Sequence, residues 1–148
     1  MKSFFFAIAV FSFSILNHTQ AQIRKVPAEV TEAFKVKYPD TKNVEWKDRL
    51  GFFQVDYEMD GSRYESKFSN KGEWLQTEKE VTQDALPAEV KDGYSKSKFT
   101  GWELKSVAWV ESRDHGVQYR LFVRKSGVEK KYLYFDKSGK LVKDAITI

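Results

Sequence analysis

From Val26 onward the apolar residues first recur at helical spacing and then switch to alternation. Val26, Val30, Ala33, Phe34 and Tyr38 fall three or four positions apart, with Glu29, Glu32, Lys35 and Lys37 on the other side. That spacing predicts an amphipathic helix. Pro27 stands at the first helical position, where a missing N–H removes no hydrogen bond, and Pro39 ends the segment. Beyond it, "NVEWKDR" (43–49), "FFQVDYEM" (52–59), "SRYESKFS" (62–69) and "EWLQTEKEV" (73–81) alternate as strands do. Asp60-Gly61 favours a two-residue hairpin between the second and third of these, and "SNKG" (69–72) turns into the fourth.

The whole series returns sixty positions later: "VPAEV" at 26–30 becomes "LPAEV" at 86–90. Pro87 again starts a helix, with Leu86, Val90 and Tyr94 as its apolar stripe. Gly93 stands where Ala33 did and Lys98 where Tyr38 did, so this helix is expected to be weaker and shorter. Glu29 and Glu89 suit the positive ends of the two helix dipoles. "LKSVAWVE" (104–111) repeats the Val-x-Trp of 44–46, and "VQYRLFVRK" meets "VEKKYLYF" across Ser126-Gly127. "DKSG" (136–139) then turns into "KLVKDAITI". The expected fold is α+β: two tandem units, 22–82 and 83–148, each one helix and four antiparallel strands. Neither unit alone buries much core, so the eight strands are expected to form one sheet with both helices on one face.

"VPAEVTEAFKVKYPDTKNVEW", "FSNKGEWL" and "FDKSGKLV" carry a family resemblance over about residues 26–144. The chain resembles the PepSY-like, β-lactamase-inhibitor-like family of exported bacterial proteins. The resemblance implies helices packed on one face of a curved antiparallel sheet, with the other face partly open. Its motifs are a helix start, a Trp strand and hairpin glycines, so they specify architecture and transmit no activity.

The N-terminus changes the picture of location. "MKSFFFAIAVFSFSILNHTQAQ" has one lysine, an apolar run from Phe4 to Leu16, and Thr19 and Ala21 spaced for cleavage. Residues 1–21 are therefore expected to be a signal peptide, leaving a chain from Gln22 in the periplasm or medium, with no membrane insertion after cleavage. No cysteine is present, so the exported domain must be held by its core, and its aromatic residues can fill one. Without Lys2, 24 basic residues face 21 acidic ones, too even and too interspersed a balance for a nucleic-acid partner.

Candidate chemistry is sparse. After cleavage one histidine remains, His115 in "SRDHGV", expected in an exposed turn rather than as a base. Without thiols, and with that single histidine, no catalytic residue is assigned and the chain is expected not to be an enzyme. No metal site and no cofactor are expected, since only dispersed Asp and Glu could serve as ligands.

The hairpins say more. With Asp60-Gly61 as the turn, Glu58 faces Arg63, Tyr57 faces Tyr64, Asp56 faces Glu65 and Val55 faces Ser66. Phe53, Val55, Tyr57, Met59, Tyr64 and Phe68 then share the core face. In the second hairpin a turn at Ser126-Gly127 assigns Tyr119, Leu121, Val123, Tyr132 and Tyr134 to the core. Arg120, Phe122, Arg124, Glu129, Lys131, Leu133 and Phe135 would then lie on the open face. Aromatic and apolar anchors beside arginine have the composition of an interaction patch. Arg120, Phe122, Arg124, Lys131, Leu133 and Phe135 are therefore the candidate binding residues, for an unknown protein or peptide of the cell envelope. Two other functions compete: a small-ligand or glycan-binding protein using the cleft between the units, and an inhibitor of an envelope enzyme. Trp46, Trp74, Trp102 and Trp109 are expected in the core. The identity of the partner and the oligomeric state leave no trace in the sequence.

Overall fold

A computed structural model describes residues 24–146. The expected signal segment and its cleavage after Ala21 lie outside the described residues. Helix α1 (Ala28–Lys37) precedes β1 (Lys42–Arg49), β2 (Phe52–Met59), β3 (Ser62–Ser69) and β4 (Trp74–Val81). A 3-10 turn at Gln83–Ala85 leads to α2 (Ala88–Ser95), followed by β5 (Glu103–Ser112), β6 (Gly116–Arg124), β7 (Lys130–Asp136) and β8 (Leu141–Ile146). The eight strands form one antiparallel sheet in chain order, so the α+β class and the single sheet hold. The helices start one residue later than expected: Pro27 and Pro87 are caps with extended ψ near 149° and 147°.

Both helices cover the same face. Residue pairing carries Val55 to Ser66, Ser66 to Thr77 and Thr77 to Glu111. From there Val107, Leu121 and Leu133 fall on that same side. Beneath α1, Val30 and Phe34 pack on Phe53, Val55, Tyr57 and Phe68. Beneath α2, Val90, Leu86 and Phe99 pack on Val107, Leu121, Val123, Leu133 and Phe135. The first cluster is rich in edge-to-face rings, with Phe34 5.1 Å from Tyr57 and 5.4 Å from Trp46. A chain of hydroxyls threads it. Tyr57 meets Ser66 at 3.0 Å, Ser66 meets Thr77 at 2.7 Å, and Trp74 Nε1 donates to Thr77 Oγ1 at 2.8 Å. These buried polar groups are therefore paired, as burial requires. Burial pushes the Tyr57 phenol well above its ordinary pKa.

The first hairpin has the expected register, from Glu58 opposite Arg63 to Phe53 opposite Phe68. Asp60 and Gly61 both have positive φ, 50° and 69°, as a two-residue turn of this kind needs. The second hairpin differs. Ser126 Oγ accepts the Glu129 amide at 3.2 Å, and Lys125 N–H reaches the Glu129 carbonyl at 3.0 Å. The loop is thus one residue longer than Ser126-Gly127 would make it, and Arg124 pairs with Lys130. A one-residue slip reverses every side chain of a strand. Leu133 and Phe135, expected on the open face, are fully buried under α2, and Tyr132 and Tyr134 point the other way. Lys131 goes with them to the helix side, where it bridges Asp144 at 2.5 Å.

Candidate functional site

The face away from the helices is concave. Phe52 of β2, Gln76 of β4, Val110 of β5, Tyr134 of β7 and Val142 of β8 line one hollow of about 560 Å³. In a flat sheet β2 and β8 would lie roughly 29 Å apart, at ~4.8 Å per strand. Sharing a hollow therefore requires the sheet to curl toward this side. Val110 is only 2% exposed although both helices lie on the other face, which fits the same curl.

The two halves of this face use their charges differently. In the first half they satisfy one another. Asp56 accepts from Lys47 at 2.7 Å, Gln54 at 2.9 Å and Arg63 at 3.1 Å. Gln54 also donates to Glu65 at 2.7 Å and accepts from Arg49 at 3.0 Å. Burial alone would raise the Asp56 pKa, but the donors from Lys47, Gln54 and Arg63 hold it below the usual carboxylate value.

In the second half rings replace the ladder of charges. Arg120 of β6 makes a two-pronged bond to Glu78 of β4, at 2.9 and 2.8 Å. Its guanidinium lies 4.9 Å from the Tyr132 ring centroid, and Tyr132 lies 5.2 Å from Phe122. Burial works against the charge on Arg120, yet Glu78 more than offsets it and the guanidinium pKa is raised. Lys143 covers Tyr134 at 5.5 Å, and Arg124 pairs with Glu103 at 2.6 Å at the rim. Of the six candidate binding residues, Arg120, Phe122 and Arg124 therefore share the open face, joined by Tyr132 and Tyr134. Leu133 and Phe135 belong to the core and Lys131 to the helix side. The sequence did carry a signal for this. In "YLYF" the two side chains without polar atoms, Leu133 and Phe135, suit a core better than two tyrosines whose hydroxyls want water.

Trp46, Trp74 and Trp102 pack against the cores as expected, whereas Trp109 is half-buried and joins neither cluster. His115 sits exposed in the β5–β6 turn. Among the described residues no group of three or more His, Cys, Asp or Glu could hold a metal ion. Among those same residues no helix is long and apolar enough to cross a membrane.

The family model for beta-lactamase-inhibitor-like, PepSY-like proteins matches residues 51–143. A BLIP-like protein from Bacteroides fragilis is similar in structure, with 23% identity, a TM-score of 0.76, and 85% of this chain and 89% of that one covered. So is a protein from Bacteroides eggerthii, described as periplasmic by name alone, with 22% identity, a TM-score of 0.73, and coverage of 83% and 90%. At such identities the likeness is one of fold. No curated protein matches the chain.

Proposed function

The chain belongs to the beta-lactamase-inhibitor-like, PepSY-like family, and on that premise we propose that it is an exported, non-catalytic module. It binds a protein or peptide of the cell envelope through the concave sheet face of its second half. The observation that carries this reading is the aromatic surface of Phe122, Tyr132 and Tyr134 beside an arginine already oriented by Glu78. Rings and a guanidinium held on strands are preorganised, so little side-chain freedom is lost when a partner seats on them. A concave face suits a convex loop of the partner. A periplasmic or secreted location is supported by the N-terminal sequence pattern.

The test is capture from envelope extract with the wild-type protein and with variants on either side of the sheet. Phe122→Ala is expected to weaken the captured complex about thirtyfold, ~2 kcal/mol, with the thermal midpoint nearly unchanged. Lys79→Gln, on the helix side, should leave capture intact. Equal capture by wild type and by a Phe122→Ala/Tyr132→Ala double variant would exclude the face.

A further inference from the structure

The helix side holds a second hollow, unrelated to the concave face. The α1 core and the α2 core are separate clusters, and the seam where β4 pairs with β5 runs between them. There Thr77 faces Glu111 and Lys79 faces Trp109. Tyr38 and Tyr64 on one side, with Trp109 and Tyr119 on the other, enclose a cleft of about 510 Å³ that also takes in Lys79 and Glu111. That volume lies within the range of small-ligand sites.

Two features mark the cleft as unfinished by the protein itself. Tyr38, Tyr64 and the other rings described each have an aromatic or cationic neighbour: Tyr64 stacks on Tyr57 at 5.6 Å and carries Lys79 at 5.3 Å. Trp109 and Tyr119, which pair directly across β5 and β6, have no such ring or cation partner among the described residues. Glu111 and Lys79 are half-buried here, and among the described residues neither makes an ion pair or a side-chain hydrogen bond. Thr77, by contrast, is already saturated by Tyr38, Ser66 and Trp74.

We propose that this cleft binds a sugar, with a pyranose ring lying on the Trp109–Tyr119 surface. A pyranose has an apolar C–H face for the rings and hydroxyls around its edge. Glu111 would accept from those hydroxyls and Lys79 would donate to them, and such charge-assisted bonds are stronger than neutral ones. The acceptor and donor balance in charge, which favours a neutral ligand over an anion. A purely apolar ligand would leave both groups unused. A free amino acid could pair with both, but it would leave part of the Trp109–Tyr119 ring surface uncovered. The space also exceeds what one amino acid fills, and a disaccharide uses it better.

Saturation-transfer NMR and calorimetry on the protein test this with cellobiose, maltose, chitobiose and mannobiose, and with L-tyrosine and a proline-rich peptide as competing probes. At least one disaccharide should receive saturation on the C–H protons of one ring face. Trp109→Ala should abolish the signal, Trp109→Phe should retain it, and Glu111→Gln should weaken binding about tenfold. Should Trp109→Ala fail to fold, Glu111→Gln and Lys79→Gln decide the matter. Phe122→Ala on the opposite face should change nothing, which separates this site from the protein-binding face. Transfer to none of the sugars, transfer that survives Trp109→Ala and Glu111→Gln, or Trp109-dependent binding of tyrosine or the peptide alone would overturn the proposal.

Discussion

The two halves of the molecule seat their helices on equivalent turns but at different depths. In the first half, a Cβ added at Gly72 of the β3–β4 turn would lie 2.7 Å from the Glu29 carbonyl oxygen and 3.5 Å from Ala33 Cβ. In the second half, one added at Gly139 of the β7–β8 turn would lie 1.9 Å from the Glu89 carbonyl oxygen. Gly93 answers from the helix, since a Cβ there would sit 1.9 Å from the Gly139 oxygen. Helix α2 therefore rides closer to its turn than α1 does, and two glycines make the approach possible. Gly93 weakens the helix locally, consistent with eight residues in α2 against ten in α1. It is kept for packing. A poor helix former can thus mark a backbone contact.

The largest effect that bears on this comparison is expected where the second hairpin departs from the first. Phe135→Ala should cost ~3–5 kcal/mol and Leu133→Ala ~2–5 kcal/mol in denaturant unfolding, while Tyr134→Ala on the open face should cost under about 1.5 kcal/mol. The opposite ranking would restore the two-residue turn at Ser126-Gly127.

Next come the glycines. Gly139 combines a φ of 81° with the 1.9 Å approach, so Gly139→Ala should lose ~2–4 kcal/mol. Gly72→Ala, with a φ of 80° and the looser contact, should lose less. Gly93→Ala is the sharper test. Helix propensity alone predicts a gain of about 1 kcal/mol, whereas the close approach predicts a net loss. A stabilised Gly93→Ala would show that α2 does not rest on the Gly139 turn.

Why one hairpin could be read from the sequence and the other could not follows from their turns. Asp60-Gly61 supplies two residues that tolerate positive φ, so its register and both faces follow from the chain alone. Ser126-Gly127 looks similar, but Gly127 does not adopt positive φ, and the Ser126 side chain closes the longer loop instead. A side-chain bond of that kind leaves no periodic trace. The strand it precedes, "YLYF", alternates only between tyrosine and purely apolar side chains, a weaker signal than apolar against charged, and it is outweighed by the apparent turn. The candidate site divides accordingly: the unambiguous strand β6 puts Arg120, Phe122 and Arg124 on the open face, whereas the expected face of Lys131, Leu133 and Phe135 depends on the register that slips. Trp109 escaped because its strand spacing matches that of Trp46. What separates the two is the helix above Trp46, and position along a strand does not report which span a helix covers.

The smallest expected effect concerns acid. Several carboxylates of both halves have lowered pKa values. Asp56 is held down against its own burial by Lys47, Gln54 and Arg63, and Glu103 by Lys105 and Arg124. Asp136 is lowered by the Ser138 hydroxyl and the Lys140 amide, and Asp144 by Lys131. A carboxylate depressed in the folded state adds stability that is present above its unfolded value, near 3.9 for Asp, and is lost as pH falls through the folded one. The thermal midpoint should accordingly be level near neutrality and fall below about pH 4. The halves should differ in how they share that fall. Glu103 is exposed and Asp136 is half-exposed at the mouth of its turn, so water and salt screen their partners. The Asp56 side chain is 10% exposed and has two cationic partners, so its share should survive added salt. Asp56→Asn is expected to lower the midpoint at neutral pH, where Lys47 and Arg63 lose their counter-charge, and to flatten the acid limb in high salt. Glu103→Gln should do neither measurably. If the Asp56→Asn curve runs parallel to the wild type through the acid range, the polar ladder of the first half is not what the acid transition titrates.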